Sequence, residues 1–167
     1  MKNLNDKYQY HSLHSGFTMI ELVFVIAILG ILSAIAIPRF AATRKDSVIA
    51  KGRADISSIR SSIMTERQSR LIIGLSTFIP NGTGTYTKDS VTYNQMDNGG
   101  FFGGILTYPI AISSTDDGWS GTAGSGTYIF KVSGSSNTFK YYDSTAVAAK
   151  RGKFLCESGS ECSDLTH

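Results

Sequence analysis

The sequence predicts an α+β chain, in which a long N-terminal helix, membrane-spanning in its first half, packs in its second half on a small antiparallel sheet. Three observations predict it. Phe17 to Ile37, FTMIELVFVIAILGILSAIAI, holds a single ionisable group, Glu21. After Pro38, Ile49, Gly52, Ile56, Ile59 and Ile63 recur at spacings of three and four, an apolar seam on one side of a helix. From Thr83 onward the chain is rich in Gly, Ser, Thr and aromatics, divided into short runs of strand character.

Residues 1–16, MKNLNDKYQYHSLHSG, are polar and mildly basic and form no apolar face. The following apolar segment, as a helix, reaches about 30 Å, the thickness of a bilayer's hydrocarbon core. A helix apolar all round belongs in lipid or deep within protein, and 167 residues leave little protein to bury it. Pro38 removes a helical hydrogen bond and bends the axis without ending the pattern. The helix is expected from about Thr18 to about Ile73, where Gly74 and Pro80-Asn81-Gly82 stop it. Arg53, Arg60 and Arg67 recur at seven on a side away from the isoleucines.

In the C-terminal half, Thr127–Val132 and Thr138–Tyr142 are the clearest strands, with Ser133–Asn137 as the turn of a hairpin. Val91–Tyr93 and Phe101–Ile112 are weaker strand candidates. The boundaries that follow are 1–16, 17–38, 39–74 and 75–167. No internal repeat is visible.

Bulk chemistry narrows the function. The net charge of +3 does not indicate a general nucleic-acid binder. The three histidines are His11, His14 and His167, a poor inventory for a catalytic triad or a zinc site. No metal site and no cofactor are expected, and an enzyme is the least expected class. Asp116-Asp117-Gly118 reads as a turn before it reads as a calcium site. Gly99-Gly100 and Gly103-Gly104 lack the lysine and threonine of a phosphate loop and read as flexible strand ends. Cys156 and Cys162 could close a small disulfide loop in an oxidising compartment, or remain free thiols in a reducing one.

The junction carries the sharpest signal. Gly16-Phe17-Thr18-Met19-Ile20-Glu21 opens the apolar run, and Pro38 closes it. A carboxylate inside a spanning helix costs about 2–3 kcal/mol on insertion scales, so Glu21 asks for a reason. Over Ser15 to Phe40 the sequence resembles the type IV prepilin family, which includes the pseudopilins of type II secretion and of DNA uptake. The matching features are glycine before the cleavage point, phenylalanine after it, glutamate fifth and proline twenty-second from the new N-terminus. The resemblance implies a leader of residues 1–16, cut by a prepilin peptidase between Gly16 and Phe17, and methylation of the new Phe17 amine. It implies that Glu21 meets the Phe17 amine, a neighbour's or its own, during assembly. Local helix melting at Gly30 and Pro38 is a further implication. The short loop between Cys156 and Cys162 resembles the disulfide-bounded region of pilins.

The expected partners are further copies of the chain and related pilin subunits, the prepilin peptidase, an inner-membrane assembly platform and membrane lipid. The implied course runs from a single-pass inner-membrane precursor with its globular domain periplasmic to a periplasmic or cell-surface filament. Pilus, secretion and competence roles stay open, with the balance towards a pilus. Two signals oppose this reading. Arg39, Arg44 and Lys45 place more positive charge after the span than Lys2 and Lys7 place before it, which favours the reverse orientation. Ala34-Ile35-Ala36 has the form of an ordinary signal-peptide site, though Glu21 and the length of the apolar run argue against one. The basic stripe Arg44, Lys45, Lys51, Arg53, Arg60, Arg67, Arg70 could hold DNA phosphates, a use with no support beyond charge. The plainer expectation is a solvated face or pairing with Asp46, Asp55 and Glu66. The rival class is a membrane-anchored extracytoplasmic binding module using Trp119, Tyr128, Tyr141 and Tyr142, although such aromatics more often fill a small sheet's core.

Overall fold

The computed structural model describes residues 16–167 except Asp89 and Ser114, and all but Gly16 of the leader expected over residues 1–16 lies outside them. The chain divides into two compact units, Met1–Ala41 and Ala42–His167. The element order is α1 (Met19–Ile72), β1 (Thr85–Lys88), β2 (Val91–Asn94), β3 (Gly118–Ser120), β4 (Thr127–Val132), β5 (Ser135–Tyr141), β6 (Phe154–Ser158) and α2 (Cys162–Thr166). The architecture is the α+β class expected, with every strand pair antiparallel.

Alpha-1 includes Pro38 and ends within a residue of the expected position. Its end is a Schellman motif: the Leu75 amide donates to the Arg70 carbonyl at 2.8 Å and the Gly74 amide to Leu71 at 3.1 Å. Gly74 holds φ +84°, a conformation that costs a glycine little. Leu75 then turns inward and is buried.

Two sheets follow, a β1-β2 hairpin and a four-stranded sheet in the order β3-β4-β5-β6. Strict alternation along β4 buries Tyr128, Phe130 and Val132, and β5 buries Asn137, Phe139 and Tyr141. These side chains close over Ile49, Ile56, Ile59 and Ile63 of α1, joined by Trp119, Phe154 and Leu165. Burial of one such side chain is worth about 1.5–3 kcal/mol. The aromatics meet edge to face or stacked, as in Trp119–Phe130 at 5.0 Å and Phe139–Phe154 at 5.4 Å between ring centres. Gly52 is the point of closest approach, because an added Cβ would lie 2.6 Å from the Phe130 ring and 2.7 Å from Leu165.

Polar groups pin the layers. The Trp119 indole donates to Asp55 on α1 at 2.9 Å. Asp97 is buried and accepts three bonds, from the Tyr128 hydroxyl at 2.8 Å, the Gly124 amide at 2.7 Å and the Phe102 amide at 2.8 Å. Each carboxylate oxygen thus has at least one donor, as a buried acid requires.

Several sequence expectations need correction. The hairpin turn is Ser133-Gly134, not 133–137, because both residues take positive φ and let β5 begin at Ser135. Phe101–Ile112 is a looped segment, not a strand, with one bridge between Phe101 and Ile110. Its two phenylalanines, Phe101 and Phe102 (at φ +59°), are buried in the core, whereas Tyr108 is exposed. Gly103 and Gly104 are not flexible strand ends. Cβ atoms there would collide with the backbone of Gln95 and Asn98, so both glycines are close-packing positions. Strands β1, β3 and β6 and helix α2 were not foreseen.

Gly52→Leu should overpack this contact and cost about 1–3 kcal/mol. Denaturant unfolding of the full-length chain in detergent, followed by Trp119 fluorescence, would read the loss. An unchanged midpoint would mean that Phe130 does not sit over Gly52.

Candidate functional site

The helix start is built by its own residues. Thr18 stands before the first helical residue, and its hydroxyl accepts the Glu21 amide at 3.2 Å. In return the Glu21 carboxylate accepts the Thr18 amide at 3.4 Å and the Thr18 hydroxyl at 3.4 Å. This is a reciprocal capping box, which satisfies donors that a helix start leaves without partners. A carboxylate is also favoured at that end by the helix dipole. Both contacts fall on Oε2, so Oε1 has no partner among the described residues. The Thr-x-x-Glu spacing ahead of an apolar run was the available signal for Thr18, and the sequence reading passed over it.

Gly16 and Phe17 precede the helix in extended or irregular backbone and are exposed, Phe17 by 78%. Nothing stands within 4 Å of where a Gly16 Cβ would be. Gly30 is equally open. From Phe17 to Phe40 the large apolar side chains are exposed, and the helix is long and apolar enough to cross a membrane. Pro38 lies inside that stretch.

The other predicted residues lie in the unit 42–167. A disulfide joins Cys156 of β6 to Cys162 of α2 across 5.8 Å between Cα atoms. It fixes the short C-terminal helix whose Leu165 enters the core. The basic stripe does not behave as one face. Arg44 pairs with Asp117 at 2.8 Å and Lys45 with Glu161 at 3.0 Å, partners far along the chain and not the helical neighbours Asp46 and Asp55. Arg70 is 1% exposed, bonded to Glu66 at 2.7 Å and to the Asn94 carbonyl at 2.7 Å, so it ties α1 to β2. Arg53, Arg60 and Arg67 each donate to a backbone carbonyl, of Asp164, Phe154 and Thr77. Asp117 is occupied by Arg44 and by the Ser133 amide. Trp119, Tyr128 and Tyr141 are buried, and burial pushes both tyrosine hydroxyls well above their ordinary range.

A capped apolar helix of spanning length ahead of an α+β unit fits the class of membrane-anchored proteins. Residues 12–37 match the family described as the prokaryotic N-terminal methylation motif. The match supports the resemblance of this N-terminal region to that of type IV prepilins. Among the relatives are type IV major fimbrial proteins FimA of Dichelobacter nodosus, 43% identical over 54 residues, which is 32% of this chain and 34–35% of theirs. The chain thus spans about a third of the length of the curated relatives it matches. No solved structure matches it.

The Lys45–Glu161 pair gives a pH expectation. A hydrogen bond from Lys45 holds the Glu161 carboxyl below its ordinary 4.5, and the same bond holds the Lys45 amine above 10.5. The acid's contribution is present above 4.5 and lost as pH falls through its lowered value. The amine's is full below 10.5 and lost as pH rises through its raised value. Hydrogen exchange at the Leu165 amide, which donates to the Glu161 carbonyl, should show flat protection between about pH 5 and 10 after correction for intrinsic rates. A protection step near neutrality would exclude this pair as the clasp.

Proposed function

We propose that this chain is a structural subunit of a type IV pilus-like filament, assembled through α1 after removal of residues 1–16. The observation that carries the reading is the register of Gly16, Phe17, Thr18 and Glu21 at the head of a spanning-length helix, inside the matched motif. A prepilin peptidase cuts between Gly16 and Phe17, and the new Phe17 amine is methylated. The relatives' description as major fimbrial proteins supports a pilus subunit over a secretion pseudopilin or a DNA-uptake subunit.

The cap explains how one carboxylate serves two masters. Glu21 bonds Thr18 through Oε2 and so is turned towards the start of its helix, where the Phe17 nitrogen lies one residue away. Oε1 stays available for a neighbouring subunit's amine. In apolar surroundings such a pair neutralises two charges that would each be costly alone. Subunits would wait in the inner membrane with the head periplasmic, meet an assembly platform there, and leave as filament.

The binding-module alternative gains nothing from Trp119, Tyr128 and Tyr141, which face the core, while Tyr142 is half-buried with Lys140 and Lys150 over its ring.

Glu21→Ala should still insert and still be cut, giving the intact mass of residues 17–167 with one added methyl group. Its amount in the sheared-filament fraction should fall by about tenfold or more. Normal filament yield from that variant would sink the pairing. A native chain that keeps residues 1–16 would sink the filament reading itself.

A further inference from the structure

We infer that α2 is a redox-operated latch: its disulfide to β6 holds it on α1, and reduction releases residues 159–167 while the sheet stays folded. The inference is independent of the filament reading, because it concerns contacts within the unit Ala42–His167 alone. Alpha-2 cannot hold itself. It is five residues long, far below the length at which an isolated helix persists in water, and no side chain caps its start. It brings one buried side chain to the core, Leu165, 1% exposed. That leucine is seated at Gly52 of α1, where an added Cβ would lie 2.7 Å from it.

The polar ties of α2 to the rest of the head are weak singly. Lys45 meets Glu161 at 3.0 Å with its own side chain 45% exposed, and water leaves such a pair little net strength. Arg53 donates to the Asp164 carbonyl, and the Glu161 amide donates to the Asn137 side chain at 2.9 Å. An open cavity of about 220 Å³, lined by Arg53, Ile56, Ser57, Arg60, Thr166 and His167, keeps the end of α2 from closing on α1. These contacts stand against the conformational freedom of every residue beyond Ser158, where β6 ends.

The disulfide decides the balance. Cys156 is paired in register with Phe139 of β5, so one end of the bond belongs to the sheet and keeps its place without α2. The other end, Cys162, is the first residue of α2. The two cysteines are six positions apart, and closing a loop of that size restricts the open chain about fiftyfold. Both are half-buried, within reach of a small dithiol. Its thiolate attacks one sulfur to form a mixed disulfide, and its second thiol then displaces the cysteine. Two electrons and two protons pass to the pair, the S–S bond becomes two thiols, and the reductant leaves as its own disulfide. A disulfide oxidant reverses each step. Release uncovers Gly52 and the core surface around it, so the head closes fully only in an oxidising compartment.

The test is hydrogen exchange on the full-length chain in detergent, before and after dithiothreitol, with reduction confirmed by the two hydrogens added to the intact mass. Reduction should speed exchange of the Leu165 amide about fiftyfold and leave the amides of β4 and β5 unchanged. Reoxidation should restore the original rate. Cys156→Ser with Cys162→Ser should behave as the reduced chain. Should that variant not fold, the reversible cycle on the native chain decides alone. Protection lost across β4 and β5 as well would make the bond a staple of the whole head. Protection kept at Leu165 after reduction would mean that α2 holds without it. Either result overturns the latch, and the filament reading survives both.

Discussion

Ile49, Ile56, Ile59 and Ile63 lie along one side of α1, and the helix alone has no means of hiding them from water. The aromatic face of β3 to β6 covers them, and the rest of the head follows from that cover. Phe130 approaches so closely that only Gly52 fits beneath it. Trp119 reaches across to Asp55, which fixes how the sheet lies on the helix as well as how tightly. Asp97 then anchors the long loop after β2 to Tyr128, so a segment with almost no regular structure still contributes Phe101 and Phe102 to the core. Hydrophobic burial supplies the driving force, and the few buried polar contacts select one arrangement from the many that would bury the same area.

The same helix carries apolar residues that the head does not cover. From Phe17 to Ile37 they are exposed on all sides, which is tolerable only in lipid or among other apolar helices. Glu21 sits at the boundary and is the one residue in that run whose chemistry is not served by either. The capping box shows how the chain accommodates it before any partner arrives. Thr18 and Glu21 satisfy each other's donors, and the helix dipole favours the negative charge. A carboxylate already half engaged is less costly to carry into apolar surroundings than a bare one.

How much of this was legible follows from the range of the interactions. The apolar run, the isoleucine seam and the alternation in β4 are local periodicities, and each was readable to within a residue or two. Beta-5 was readable in its second half only, because Ser135, Ser136 and Asn137 look like turn residues until β4 pairs with them. Beta-6 holds Cys156, and nothing in its sequence says that it will lie beside β5. The partners of Arg44 and Lys45 are more than seventy residues away, so helical spacing pointed to the wrong acids. Arg70 looked like surface charge because its burial depends on Asn94 and Tyr93 arriving from the β1-β2 hairpin. Thr18 is the exception, a local signal that was present and unread.

An arginine-rich helix face has two ordinary fates, solvation or pairing within the chain, and both occur here for part of the stripe. Arg44, Lys45 and Arg70 are paired, and Arg70 is wholly enclosed. Arg60 and Arg67 remain, and with Arg151 and Lys153 from the loop before β6 they ring apolar surface that a solvated face would not display. Each guanidinium group also serves its own head, since Arg60 ties α1 to Phe154, Arg67 ties it to Thr77 and Arg151 closes on Ala146.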